Sequence, residues 1–256
     1  MYHLLFFFIN LIIFPTFFLS PQDAFKIVPT KGTLTDKYLE QITVKPYLQE
    51  GMKLPQTSFH TFVRSKRNPA IFESKILTTE DYFAKKKCVI FAVPGAFTPT
   101  CSSQHLPQYI EGAKFLKKIG IDEVYCISVN DIFVLQAWGK LSGLTEDKSP
   151  GSFGFQEVNF IPDGMGTFTR KMGMNCLWDT ERGFGERSWR YSAYVDNGKV
   201  KKLFLEQPFV QNSKEDPFDV SNVNTMLAYL YRQFGSQEVN FVDENCPLDF
   251  YRFLNE

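Results

Sequence analysis

The chain has 256 residues, enough for one large domain or two small ones. Lysine plus arginine balances aspartate plus glutamate at 28 each, so charge offers no case for a nucleic acid or an anionic membrane surface as partner. Five cysteines at long, irregular spacing without a CxxC pair argue against a disulfide scaffold and a zinc site, and predict free thiols.

Residues 4 to 19, LLFFFINLIIFPTFFL, form an apolar block broken by Asn10, Pro15 and Thr16. As a helix it spans about 24 Å, short of a hydrocarbon layer of about 30 Å. Residues 1–20 are therefore read as a signal peptide, with an uncleaved anchor as the alternative, because no Lys or Arg precedes the block. Residues 21–45 turn polar with scattered lysines and are read as a transit peptide or linker. Together they form a two-part address through the secretory route to an internal organelle, with no membrane span in the mature protein. A catalytic free thiol fits poorly with an oxidising destination.

Residues 46–256 are read as the folded domain. CVIFAV (Cys88 to Val93) is a near-continuous apolar run, the form of a central strand covered on both faces. It leads into PGAFTPTC (Pro94 to Cys101), a Gly/Pro-rich turn that delivers Thr98 and Cys101 to a helix start. Leu106, Tyr109, Ile110, Ala113, Leu116 and Ile119 then share one helix face. Unpaired backbone N–H groups at a helix start stabilise an anion, and the thiolate is the nucleophilic form of cysteine. His105, one turn on, is read as a polar residue on the helix surface; a base or a metal partner is the alternative.

VYCISV (Val124 to Val129) is a second buried strand, and the helix between the two implies a right-handed crossover and a parallel pair. Asp131 caps a helix over IFVLQAWGK, QEVNFIPDG reads as a strand and turn, and GTFTRKMG as a short helix. YSAYV and KVKKLFLE flank Asp196-Asn197-Gly198, a hairpin signal, because Asn-Gly populates the positive φ angles of a tight turn. A last helix starts at Asp219 or Ser221 and runs to about Gln233. The octads FGFQEVNF (Phe153 to Phe160) and FGSQEVNF (Phe234 to Phe241) are near-identical but extend no further, too little for an internal duplication. The whole is an α/β sandwich with a mixed central sheet flanked by helices, a thioredoxin-like order of elements.

PGAFTPTCS, HLPQYI, CISVNDIFV and AWGK, in this order and spacing, closely resemble the type II (type five) branch of the peroxiredoxins, from about Gly51 to the last helix. The resemblance implies a peroxidatic Cys101, a Thr98 hydroxyl bonded to thiolate and peroxide, a shielding Pro94 and an arginine at Arg190, with Arg187 a nearby rival. The chemistry independently asks for such groups: attack on ROOH displaces an alkoxide, so negative charge spreads over sulfur and two oxygens. The product is a sulfenic acid on Cys101.

Relatives that resolve this acid internally carry a second cysteine between the hairpin and the last helix, where this chain reads EQPFVQNSKEDPFDVSN without one. Cys126 matches a second cysteine of some relatives, yet its apolar run favours a packing role. The leading expectation is a one-cysteine cycle with no bound cofactor, reset by glutathione and glutaredoxin; the alternative is a thioredoxin-reset cycle through Cys126. Cys88, Cys176 and Cys246 are read as incidental. A peroxide sensor or relay, and a thioredoxin-fold binding domain, are the competing functions. The resemblance further implies a homodimer, and the address implies a plastid of the apicoplast kind, with a mitochondrion second.

Overall fold

The computed structural model describes residues 48–234, all within one compact unit. The expected signal and transit segments, the second octad beyond Phe234 and Cys246 lie outside the described residues. Among those described, no helix is long and apolar enough to cross a membrane.

The first elements are ones the sequence reading does not separate. Strand β1 (Ser58–Arg64) pairs antiparallel with β2 (Phe72–Thr78), outside the main sheet. Helix α1 (Thr79–Phe83) follows, started by a capping box between Thr78 and Asp81. Strand β3 (Lys87–Val93) is the CVIFAV run. A π-helical turn, Cys101–His105, then continues directly into α2 (Leu106–Lys118). Strand β4 (Glu123–Ser128), helix α3 (Ile132–Leu141), strand β5 (Asn159–Pro162) and the short α4 (Thr167–Lys171) come next. A small hairpin of β6 (Asn175–Trp178) and β7 (Gly185–Ser188) precedes β8 (Tyr191–Asp196), β9 (Lys199–Leu205) and α5 (Val223–Phe234).

The central sheet has strand order β5-β4-β3-β8-β9. Pairs β3–β4 and β4–β5 are parallel, and β3–β8 and β8–β9 antiparallel, so the sheet is mixed as expected. The alternating faces of β3 explain its unbroken apolar run. Val89, Phe91 and Val93 join Leu106, Tyr109 and Leu116 of α2 and Val223 and Leu227 of α5 in one core. Cys88, Ile90 and Ala92 face the other way, into a second core with Tyr82, Phe83, Phe59 and Phe168. Each large apolar side chain so buried contributes about 1.5–3 kcal/mol, which makes β3 the spine of the sandwich. Helix α2 meets α5 at Gly112, where an added Cβ would collide with the side chain of Val223. This is the thioredoxin-like α/β sandwich.

Local chemistry bears out several expected boundaries. Asp131 accepts from the Val134 N–H at 3.0 Å and caps α3. Asn197 and Gly198 take φ of 48° and 71°, closing the β8–β9 hairpin. The last helix begins later than expected, at Val223, with the Asn222 side chain accepting from the Thr225 N–H at 2.9 Å. Asp219 and Ser221 are occupied elsewhere: their N–H groups donate to the Glu206 carboxylate at 2.9 and 2.8 Å.

Candidate active site

The turn after β3 is built to hold a helix start against the sheet's carboxyl edge. Pro94 and Gly95 are buried, and Phe97 takes a left-handed φ of 62° while its ring stays exposed. A non-glycine residue in that region stores strain of order 1 kcal/mol or more, so the surroundings must fix it. They do so through Asn130, just past β4, whose side-chain oxygen accepts from the Ala96 N–H at 3.0 Å and the Ser128 hydroxyl at 2.7 Å. The Thr98 hydroxyl donates to the Gly95 carbonyl at 2.8 Å. Its single proton is thereby committed, and its lone pairs are left to accept.

Pro99 and Thr100 are already helical, and the Ser102 N–H returns to the Thr98 carbonyl at 3.0 Å. Proline suits the first helical position because its missing N–H is not needed there. At Cys101 the helix widens, and the Leu106 N–H bonds to the Cys101 carbonyl, five residues back. Trp138 of α3 braces the turn by donating to the Ser102 hydroxyl at 3.0 Å. Cys101 itself is 0% exposed.

Arg190, in the link between β7 and β8, is also 0% exposed and meets the sulfur across 89 residues of sequence: its Nη1 lies 3.5 Å from Cys101 Sγ. The same Nη1 lies 3.2 Å from His105 Nδ1, and Nη2 pairs with the Asp216 carboxylate. Burial works against the guanidinium charge, but Cys101 and Asp216 more than offset this and push its pKa up. Its Nε is buried with no partner among the described residues. Phe218 lies beneath, 5.7 Å from the guanidinium carbon to the ring centre.

His105 corrects the expectation of a surface position. It is fully buried between Phe91 and Phe218, with ring centroids at 4.9 and 4.8 Å. It closes the π-helical turn, on the same face as Cys101 and Tyr109. Arginine can only donate, so Nδ1 accepts; Nε2 therefore carries the proton and donates to the Ser221 carbonyl at 3.2 Å. Burial first, and then the Arg190 charge, hold this imidazole well below its usual value, against the Ser221 carbonyl. Among the described residues no group of side chains forms a metal site.

The lowered value has a measurable consequence. Between the unfolded imidazole value of about 6.5 and the lower folded one, the unfolded chain binds the extra proton, so stability rises with pH and falls on acidification. His105→Gln is expected to flatten this dependence: wild type should lose stability as pH drops below about 6.5, and the variant should lose less over the same interval. Urea midpoints measured at pH 7, 6 and 5 would show it; parallel curves would refute it.

The segment between β9 and α5 completes the site. Glu206 accepts from the backbone N–H and hydroxyl of Ser221, and the Tyr109 hydroxyl donates to the Ser221 carbonyl at 3.1 Å. Asp216, Phe218 and Glu206 carry no signal in the sequence, where this segment reads as a stretch without cysteine that leads to a helix start at Asp219 or Ser221. Arg187 on β7 does not bond to the sulfur. Its Nε donates to the Phe184 carbonyl at 2.9 Å, and burial pushes its pKa down while Cys101 opposes the shift.

The remaining described thiols are free and buried. Cys126 on β4 shares the core that holds Cys101. Burial pushes its thiol well above the ordinary value, Cys101 adds to the rise, and Arg190 opposes it. Burial raises Cys88 to about 12 and pushes Cys176 up as well.

Residues 49–227 match the Redoxin family. The chain is 46% identical over 182 residues to the Synechocystis peroxiredoxin sll1621, covering 70% of this chain and 89% of that protein. It is 41% identical over 188 residues to the chloroplastic peroxiredoxin-2E of Arabidopsis thaliana, covering 72% and 74%. Among solved structures it is similar to reduced Prx3 of Vibrio vulnificus in complex with hydrogen peroxide, at 37% identity and a TM-score of 0.58, over 72% of this chain and 99% of that one. Likeness across the described region thus meets a cysteine set at a helix start against a buried arginine: the chain belongs to the peroxiredoxin family and is a thiol peroxidase.

Proposed function

We propose that Cys101 is the peroxidatic residue of a type II (type five) enzyme that works with one cysteine and is reset by glutathione and glutaredoxin. The observation that carries the first half is the Arg190 guanidinium, hydrogen-bonded to the Cys101 sulfur in a site that excludes bulk water. The thiolate attacks one peroxide oxygen, an S–O bond forms, the O–O bond breaks, and the alkoxide leaves with a proton as water or alcohol. Arg190 faces the charge that develops on sulfur and oxygen, and its free Nε–H is a donor for the peroxide. Thr98 accepts from the hydroperoxide O–H, and Pro94 closes the wall behind it.

The reductant reading rests on where the second thiol is not. The segment after β9 brings a carboxylate and a ring to Arg190, and no cysteine. Cys126 is fixed in the sheet opposite Phe91 of β3, with its thiol held protonated by burial. An outside thiol then attacks the sulfenic sulfur, water leaves, and a glutaredoxin thiol removes the mixed disulfide. No bound cofactor takes part. The apolar leader supports delivery to a plastid, as does the chloroplastic relative, and the family supports a homodimer.

Purified wild type and Cys126→Ser, assayed for peroxide consumption with glutathione plus glutaredoxin and separately with thioredoxin, test the cycle. Cys126→Ser should keep its glutathione-driven rate within about twofold, since a core thiol-to-hydroxyl change touches packing and not the chemistry. Loss of turnover in Cys126→Ser would make it the resolving residue, and wild-type oxidation without turnover would favour a sensor.

A further inference from the structure

Beside the site lies a cavity of about 910 Å³ at the carboxyl ends of β4 and β5, lined among others by Asn130, Phe133, Met165, Ile76, Lys171 and Arg187. Its volume is that of a small-molecule site. Phe133, Met165 and Ile76 are 66%, 82% and 71% exposed, a cluster of large apolar side chains left open at the rim. Arg187 stands between this cavity and the catalytic turn: its Nη1 lies 3.2 Å from where a Cβ on Gly95 would sit.

Arg187 is half-buried, and among the described residues its one side-chain hydrogen bond runs from Nε to the Phe184 carbonyl. No carboxylate among the described residues pairs with its Nη1 and Nη2. Burial works against its charge and only Cys101 supports it; its paired N–H groups, with no carboxylate between them, match one in two-pronged fashion. The cavity's own acids are committed elsewhere. Asp131 accepts from Val134, and both Asp163 oxygens accept from the Phe168 and Thr169 N–H groups.

We propose that Arg187 binds the carboxylate of the thiol that resolves the Cys101 sulfenic acid, with the body of that thiol in this cavity: a short, carboxylate-bearing peptide thiol of the glutathione class. The inference rests on the glutathione reading above. Proximity selects the class. Arg187 and the catalytic turn are in contact, so carboxylate and reacting sulfur must lie close together in the ligand. At about 3.5 Å per extended residue, a carboxylate one residue from a cysteine meets this condition. A long-chain hydroperoxide, whose carboxylate and peroxide are many carbons apart, does not. The bound thiolate attacks the sulfenic sulfur, an S–S bond forms, and the S–OH bond breaks as water leaves.

The test oxidises the full chain with one equivalent of hydrogen peroxide and times mixed-disulfide formation with glutathione and with its diethyl ester, whose carboxylates are blocked. Wild type should react about 10-fold faster with glutathione at equal thiolate, and Arg187→Met should erase the difference by slowing glutathione alone. Because the charges of Arg187 and Cys101 interact, both proteins are oxidised to completion before the thiol is added, and an unchanged urea midpoint reports an intact fold. Should Arg187→Met fold poorly, Arg187→Lys and the salt dependence of the wild-type rates decide, because only the glutathione rate should fall with added salt. Equal wild-type rates with acid and ester, or equal slowing of both in the variant, overturn the assignment. If glutathione forms no mixed disulfide with wild type while dithiothreitol recycles it, the glutathione reading itself fails and this inference with it.

Discussion

Cys101→Ser should reduce peroxide consumption by at least about 10³-fold, to the level of background thiol chemistry, while leaving the fold intact. Serine fits the space of the thiol in the same wide helical turn, where Cys101 is fully buried and bonded through its backbone carbonyl to Leu106. Its hydroxyl cannot be ionised by a neighbouring guanidinium to any useful degree, so nucleophilicity is lost with geometry retained. The other described thiols cannot substitute, because burial raises each of them and none has a guanidinium hydrogen-bonded to its sulfur as Cys101 has. Trapping of the sulfenic acid by a diketone reagent should disappear in step. Retained turnover in Cys101→Ser would move the chemistry to another residue.

Arg190→Gln should have the next largest effect, lowering the rate constant for Cys101 oxidation by about 10²–10³-fold. Glutamine keeps a donor but loses the charge that faces the developing anion, and it is too short to span Cys101, His105 and Asp216 together. Removing the guanidinium also leaves His105 Nδ1 buried without a donor, at a cost of about 1–3 kcal/mol. Asp216, 30% exposed, can turn to water at smaller cost. Stopped-flow oxidation and a urea midpoint on the same sample separate the two effects. A rate within about threefold of wild type would remove Arg190 from the transition state.

What the chain reveals in one dimension follows from how local each feature is. The strand–turn–helix around PGAFTPTC is legible because the run Cys88 to Val93 is buried on both faces of β3 and the turn residues follow at once. The β8–β9 hairpin is legible because Asn197-Gly198 alone dictates its turn. The β1–β2 pair is not: its strands are joined by a longer loop without such a dipeptide, and β2 is largely exposed. Strands β6 and β7 are four residues each, too short for a period to show.

The site divides the same way. Thr98, Pro94 and Cys101 are neighbours in sequence, and Arg190 follows from a matched motif. His105 is misplaced by its polarity alone, since it lies four residues after Cys101 and four before Tyr109, both fully buried, and residues so spaced share a helix face. Asp216 and Phe218 reach Arg190 from a loop without periodicity, and that loop is shaped by a carboxylate, Glu206, whose partners lie 13 and 15 residues away.

The contact between Cys101 and Arg190 closes a span of 89 residues, and the one between His105 and Ser221 a span of 116. A chain that is still extended has neither. Until β8 has docked beside β3 and the segment before α5 has folded over them, Cys101 is an unassisted thiol with no cation at its side. Peroxidase chemistry in this protein is thus a property of the finished fold, and a chain in transit through a membrane pore would carry its cysteine unarmed.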